Sequence, residues 1–128
     1  MFENLDVFRM ANAMSVHAAK KQALSAQNMA NADTPGYTAR DVTPFAELMK
    51  SESAAFGLKA TRASHLNSTD QGFAGDIIER VSERDPNGNS VSLEQEMMHA
   101  VNAKRQHDRA ISIYKTSLGV LRTAIGRS

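Results

Sequence analysis

Asp85-Pro86-Asn87-Gly88-Asn89-Ser90-Val91, running on to Glu96, places side-chain oxygens at positions one, three and five of a stretch that closes with a glutamate. That is the ligand order of a calcium loop. A working loop needs glycine at position six, where the chain turns sharply; here Ser90 stands there and no convincing helix leads in. The stretch therefore reads as a turn followed by a helix cap. The four histidines are His17, His65, His99 and His107. His99 and His107 are too far apart along one helix to share an ion. His17 and His107 fall inside helix seams, where a satisfied or interfacial histidine is the ordinary reading. No metal site is expected. No serine or lysine sits in a nucleophile motif, and no glycine-rich phosphate loop is present, so neither catalytic nor cofactor-binding residues are expected. From Lys104 to Ser128 six basic residues face Asp108 alone. A basic helix can grip phosphates, which makes a helical nucleic-acid-binding module the alternative reading. Without base-stacking aromatics, and with an apolar seam on the same helix, a solvated or interfacial face is preferred.

The rest of the composition points the same way. A chain of 128 residues is a one-domain length, and its net charge of +1 creates no global field toward nucleic acid or anionic lipid. Hydrophobic residues make up 41%, but alanine and methionine supply much of that and only 5% are aromatic. Such a chain covers helix faces more readily than it builds a deep core. The seven methionines read as adaptable packing rather than as a ligand box. Having no cysteine excludes disulfides and thiolate zinc sites. No run approaches the roughly 20 apolar residues of a membrane span. The opening MFENLDVFRM lacks the basic region and apolar block of a cleaved leader, so the expectation is a chain either cytosolic or exported without one.

Three elements must position whatever these residues do. Residues 4–31 contain neither glycine nor proline and predict a long helix with two adjoining stripes. Val7, Met10, Met14 and Leu24 form one, interrupted by His17 and Lys21. The other, mostly small, runs through Leu5, Phe8, Ala11, Ala18, Ala19, Ala26 and Met29. Residues 92–126 predict a second helix, with Ser92 as N-cap of a capping box closed by Gln95, Glu94 and Glu96 at the positive end of the helix dipole, and Gly126 as the stop. Its seam of Leu93, Met97, Ala100, Lys104, His107, Ile111, Tyr114, Leu118, Leu121 and Ile125 follows alternating steps of four and three. The middle, residues 32–90, is irregular. It suggests a short helix from Pro44 to about Lys50, a strand over Ile77–Val81, a turn at Asp85–Asn89 and a loop between Gly72 and Gly75.

Between helix and middle lies Asn28-Met29-Ala30-Asn31-Ala32-Asp33-Thr34-Pro35-Gly36-Tyr37. Proline and glycine suit the central positions of a type II turn, with glycine at positive φ. The expected fold is mainly α and a single domain over 1–128: two long terminal helices in an antiparallel, coiled-coil-like hairpin with an irregular, β-poor central region. Two helices in contact cover one stripe each, so the unused stripes are expected to pack on other chains. Helices whose seams are interrupted by Ala, Met and Lys should also gain much of their order from those neighbours.

The Asn28–Tyr37 stretch resembles the Asn-x-Ala-Asn-x-x-Thr-Pro-Gly-Tyr signature that ends the first helix of bacterial flagellar axial proteins. Asp85-x-Asn87-Gly88-Asn89-x-Val91-x-Leu93-Glu94-x-Glu96-Met97 and Leu121-Arg122-Thr123-Ala124-Ile125 are similar to the proximal rod proteins within that family. Thr61 to His65 also stands where those proteins carry a Thr and a His; His107 departs from the aromatic residue expected there. The resemblance implies a non-enzymatic structural subunit of the basal-body rod, without cofactor, exported through the flagellar type III apparatus without a cleaved signal and placed in the periplasmic space. Its implied partners are copies of itself, other rod subunits, the rod-base adaptor, the membrane (MS) ring and the export apparatus. The implied assembly residues are the turn Asn28, Asn31, Asp33, Thr34, Pro35, Gly36 and Tyr37, and the seam Leu93, Met97, Ala100, Ile111, Tyr114, Leu118, Leu121 and Ile125. The turn would fix the direction in which the chain leaves the helix, so that helices of adjacent subunits can pass.

Overall fold

The computed structural model describes residues 2–54 and 75–126. Helix α1 (Phe2–Ala30) and helix α3 (Leu93–Ile125) flank a middle that contributes strand β1 (Arg40–Val42), helix α2 (Phe45–Ala54) and strand β2 (Ile77–Glu79). Three contacts fix the antiparallel register of the hairpin. The Phe8 and Tyr114 rings meet edge-on at 5.0 Å. Ala11 and Ala110 line one shallow groove. Further along, the Ser25 hydroxyl donates to the backbone carbonyl of Glu96 at 2.8 Å.

The face that α3 turns inward is not its large one. Its buried residues are Glu96, Ala103 and Ala110, a spacing of seven. They lie one position to the side of the predicted seam, of which Ala100, His107, Leu118 and Leu121 are half-buried. The reason is on α1, whose buried Ala11, Ala18 and Ser25 repeat the same spacing. Small residues on both helices let the backbones approach closely and gain dispersion contacts along the line. Larger seam residues would hold them apart. Leu93, Met97 and Ile125 consequently stay 52%, 58% and 73% exposed.

The second face of α1, through buried Ala13, His17, Leu24 and Asn28, carries the middle segment. The two predicted stripes thus have different neighbours where they are buried, although Val7 and Met10 of the first and Ala19 and Ala26 of the second point to solvent. His17 Nε2 lies 2.8 Å from the Thr43 carbonyl; a carbonyl only accepts, so this nitrogen carries the proton. The ring also packs on Phe45. Lys20 donates to the Gly75 carbonyl at 2.6 Å. Pro44 starts α2, its carbonyl accepting from Glu47 and Leu48, and the helix runs four residues past the predicted end. β1 and β2 pair antiparallel with Asp41 opposite Ile78. β2 ends at Glu79 rather than Val81, although Arg80 still donates to Ala39. Gly75 has φ +68°, and a Cβ there would lie 2.7 Å from Val42 Cγ1. Gly72, Thr61 and His65 lie outside the described residues.

Among the described residues, six of the nine buried hydrophobic side chains are alanine, and the largest fully buried side chains are Glu96, Asn28 and Asn89. Few methylenes leave water, so apolar transfer alone contributes little here. Polar groups must close the fold, and every buried side-chain nitrogen or oxygen among the described residues has a partner.

Candidate assembly site

Helix α1 stops because Pro35 and Gly36 stop it. Thr34-Pro35-Gly36-Tyr37 closes with the Tyr37 N–H donating to the Thr34 carbonyl at 3.3 Å, and Gly36 has φ +73°. These are the features of the predicted type II turn. Asn31 Nδ2 donates back to the Gln27 carbonyl, and the Thr34 hydroxyl donates to Asn31 Oδ1. Asp33, named with the assembly turn, is exposed and makes none of these bonds.

A second turn docks on the first. Asp85–Asn89 folds back on itself, with Gly88 N–H to the Asp85 carbonyl at 2.7 Å and Asp85 N–H to the Asn89 carbonyl at 2.8 Å. Gly36 N–H donates to the Asn87 carbonyl at 3.0 Å. The turns are so close that a Cβ on Gly88, itself at φ +81°, would lie 3.4 Å from Gly36 Cα. Asn89 Nδ2 points into the first turn, within 2.9, 2.7 and 2.8 Å of the carbonyls of Asn31, Ala32 and Thr34. Its Oδ1 accepts from Val91 N–H at 2.8 Å. Of the oxygens that suggested a calcium loop, those of Asn87 and Asn89 accept from backbone, at Asn89 N–H and Val91 N–H.

Asn28, fully buried, performs the same service for β1. Its Nδ2 donates to the Arg40 carbonyl and its Oδ1 accepts from the Arg40 N–H, so the amide pairs with the strand edge as a neighbouring strand would. The Tyr37 hydroxyl donates to the same Oδ1. Ser90 completes the joint: its N–H donates to the Tyr37 carbonyl and its Oγ accepts from Ala39 N–H.

Beside the joint lies a charged cluster. Arg80 bridges Asp41, at 2.9 Å, and buried Glu96. Glu96 Oε2 also accepts from Ser25, and Lys21 stands 3.9 Å from Asp41. Burial alone would raise the Asp41 carboxyl. The Val42 N–H, the Arg80 hydrogen bond and the Lys21 and Arg80 charges outweigh it and hold Asp41 below the usual range. Burial likewise opposes the Arg80 charge, and its bonds to Asp41 and Glu96 raise it nonetheless. Glu96, read from sequence as a helix-dipole charge, is an interior ion. Ser92 is the N-cap of α3, but its side chain makes no capping bond, so the expected capping box does not form. The Glu96 N–H donates to the Ser92 backbone carbonyl instead, as the first turn of the helix.

Of the predicted seam, Leu93, Met97, Ile111, Tyr114 and Ile125 are exposed, while Ala100, Leu118 and Leu121 are half-buried against the hairpin. The turn and the seam are separate places: one at the closed end of the hairpin, the other along its outer flank. Met98 and Val101 extend the exposed apolar surface, forming a shallow groove with Met97, Asn102 and Arg105.

No family model matches the sequence. Over 122 residues the chain is 30% identical to the flagellar basal body rod protein FlgB of Agrobacterium fabrum (strain C58), spanning 88% of this chain and 87% of that protein. The chain belongs to the FlgB family. The flagellar basal body rod protein FlgB of Salmonella typhimurium (strain LT2) is 29% identical over 108 residues, 78% of each. Both motif halves of this FlgB-family chain meet in the joint. The residues that sequence reading missed are Ser25, Arg80, Asn89 and Glu96, whose partners lie far along the chain. One signal was available for Asn89: a second asparagine directly after a turn that Asn87-Gly88 already makes.

Proposed function

We propose that this chain is a non-enzymatic structural subunit of the flagellar basal-body rod that polymerises through the outer flank of α3, with the joint at residues 28–37 fixing how its helices are presented. The observation that carries the proposal is the division of labour on α3. Its alanines serve the hairpin, together with one edge of Tyr114 against Phe8, and Leu93, Met97, Ile111 and Ile125 are left exposed. A stripe of large apolar residues this long is costly in water and is the kind of surface a neighbouring helix covers. Repeated heterologous contacts between copies, related by a rotation that does not close, build a tube. The two motif halves that resemble flagellar axial proteins support the remaining terms: export without a cleaved leader, a position in the periplasmic space, and contacts with other rod subunits, the rod-base adaptor, the membrane ring and the export apparatus. No helix among the described residues is long and apolar enough to cross a membrane.

The test is complementation of a strain lacking the chromosomal copy, scored for rods in isolated basal bodies. Wild type should restore them. Met97→Asp places a charge on a site that is 58% exposed in the subunit, so the subunit should fold and remain unincorporated. Normal rods built from Met97→Asp would overturn the proposed surface.

A further inference from the structure

Helix α1 closes on local donors: the Gln27 carbonyl accepts from Asn31 N–H and Nδ2, and the Met29 carbonyl from Ala32 N–H. Its exit turn gathers the carbonyls of Asn31, Ala32 and Thr34, of which Asn31 and Thr34 already accept from the N–H groups of Thr34 and Tyr37. Each keeps a lone pair for a further donor. The donor comes from the far side of the sequence: the buried amide of Asn89 meets all three. The same side chain accepts from Val91 N–H, two residues before α3 begins. One amide therefore holds the exit of the first long helix and the approach to the second.

We propose that Asn89 is the positioning residue of the assembly joint: a clamp on the exit turn supplied across the chain, which couples the direction of α1 to that of α3. The proposal rests on the rod-assembly reading above. It does not require Asn89 to touch a neighbouring subunit; Asn89 acts through the Thr34–Tyr37 turn. Gly36 N–H to the Asn87 carbonyl and Ser90 N–H to the Tyr37 carbonyl join the same two segments from either side. Those backbone bonds dock the turns, and the amide sets the angle at which they dock.

The donor role separates from space-filling by comparing Asn89→Asp with Asn89→Ala. Aspartate keeps the shape but turns a donor into an acceptor facing three carbonyls. Were Asn89 only filling space, Asp would behave as wild type and Ala would not. The positioning role predicts that both fail, Asp at least as badly. Each full-length variant is expressed in the deletion strain and scored for rods, and each purified chain is examined by circular dichroism and amide exchange. The control is Gly75→Ala, which strains the chain elsewhere.

The expected result is retained helicity, about tenfold or more loss of amide protection confined to Thr34, Gly36 and Tyr37 in both variants and extending to Val91 in Asn89→Ala, and no incorporation, while Gly75→Ala still enters rods. The proposal is overturned if Asn89→Asp builds rods as wild type does. It is equally overturned if Gly75→Ala, at matched loss of thermal stability, fails alongside it, since general instability would then account for the defect. If wild type itself does not restore rods, the rod reading fails instead. Exchange then decides the coupling alone: unchanged protection at Thr34, Gly36 and Tyr37 refutes it, and selective loss there upholds it.

Discussion

Three glycines carry positive φ among the described residues, and they differ in what else surrounds them. At Gly36 a Cβ would meet nothing within 4 Å, so a substitution there costs conformation alone. Gly36→Val should destabilise the chain by about 1–2 kcal/mol, with the protein still made at normal level and its assembly impaired. Thermal melts together with motility check this; wild-type swimming would show that the turn angle does not matter. Gly75→Ala should cost more, because the new methyl also strikes the Val42 side chain at 2.7 Å. The charged cluster gives a larger effect. Arg80→Met leaves Glu96 buried without its cation, an expected loss of about 3–5 kcal/mol in chemical denaturation. Glu96→Gln, which removes the charge and keeps the shape, should cost less.

At the scale of the elements, the decisive fact is which face of α3 packs inward. Ala103→Leu and Ala110→Leu add bulk where the helices are closest and should destabilise the hairpin by about 1–3 kcal/mol each. Val101→Ala, on a surface 51% exposed, should leave the melting temperature nearly unchanged. Equal effects from the two classes would show that the inward face is misassigned. This is also where sequence reading succeeded and failed for one physical reason. The first long helix was legible from the absence of Gly and Pro, the second from heptad spacing, and the Thr34–Tyr37 turn from Pro-Gly. Periodicity, however, weights the largest apolar residues. It chose Met97 and Ile111 for the seam, whereas close approach selected Ala103 and Ala110 beside them. Asn89 and Glu96 each had an adequate local explanation, a turn and a helix dipole. Their real partners, Asn31 and Ser25, lie 58 and 71 residues away, where no local pattern reaches. β1 escaped notice because three residues are too few to alternate.

For the whole molecule, stability is concentrated at one end. The joint, the Asp41–Arg80–Glu96 cluster and the strand pair all sit where α1 stops and α3 starts. The opposite end has the Phe8–Tyr114 contact, beyond which Val120 and Ile125 are 59% and 73% exposed. Amide exchange on the dilute, isolated chain should therefore show a gradient, strongest near residues 25–40 and 89–103 and weakest after Leu118. Uniform protection along α3 in a proven monomer would contradict this. Acid should act on the held end. Asp41 has a lowered folded pKa, so its contribution is present above the unfolded value of about 3.9 and is lost as pH falls through the folded value. The urea midpoint should drop in that acid range, and Asp41→Asn should remove part of the drop.

The alanine line between the helices has a mechanical consequence. Interlocking side chains act as teeth, and two helices that meet through methyl groups have almost none. Along their common axis such a pair offers little resistance to shear, and a load that slides one helix past the other is borne by whatever bolts them together. Here the bolts are Ser25 on Glu96 and the amide of Asn89, close together at one end. The hairpin is therefore a pair of smooth bars bolted at one end and meeting ring against ring toward the other, stiffest at its fold. A subunit of that kind can adjust the stagger of its free ends to a curved lattice while keeping the angle at its root.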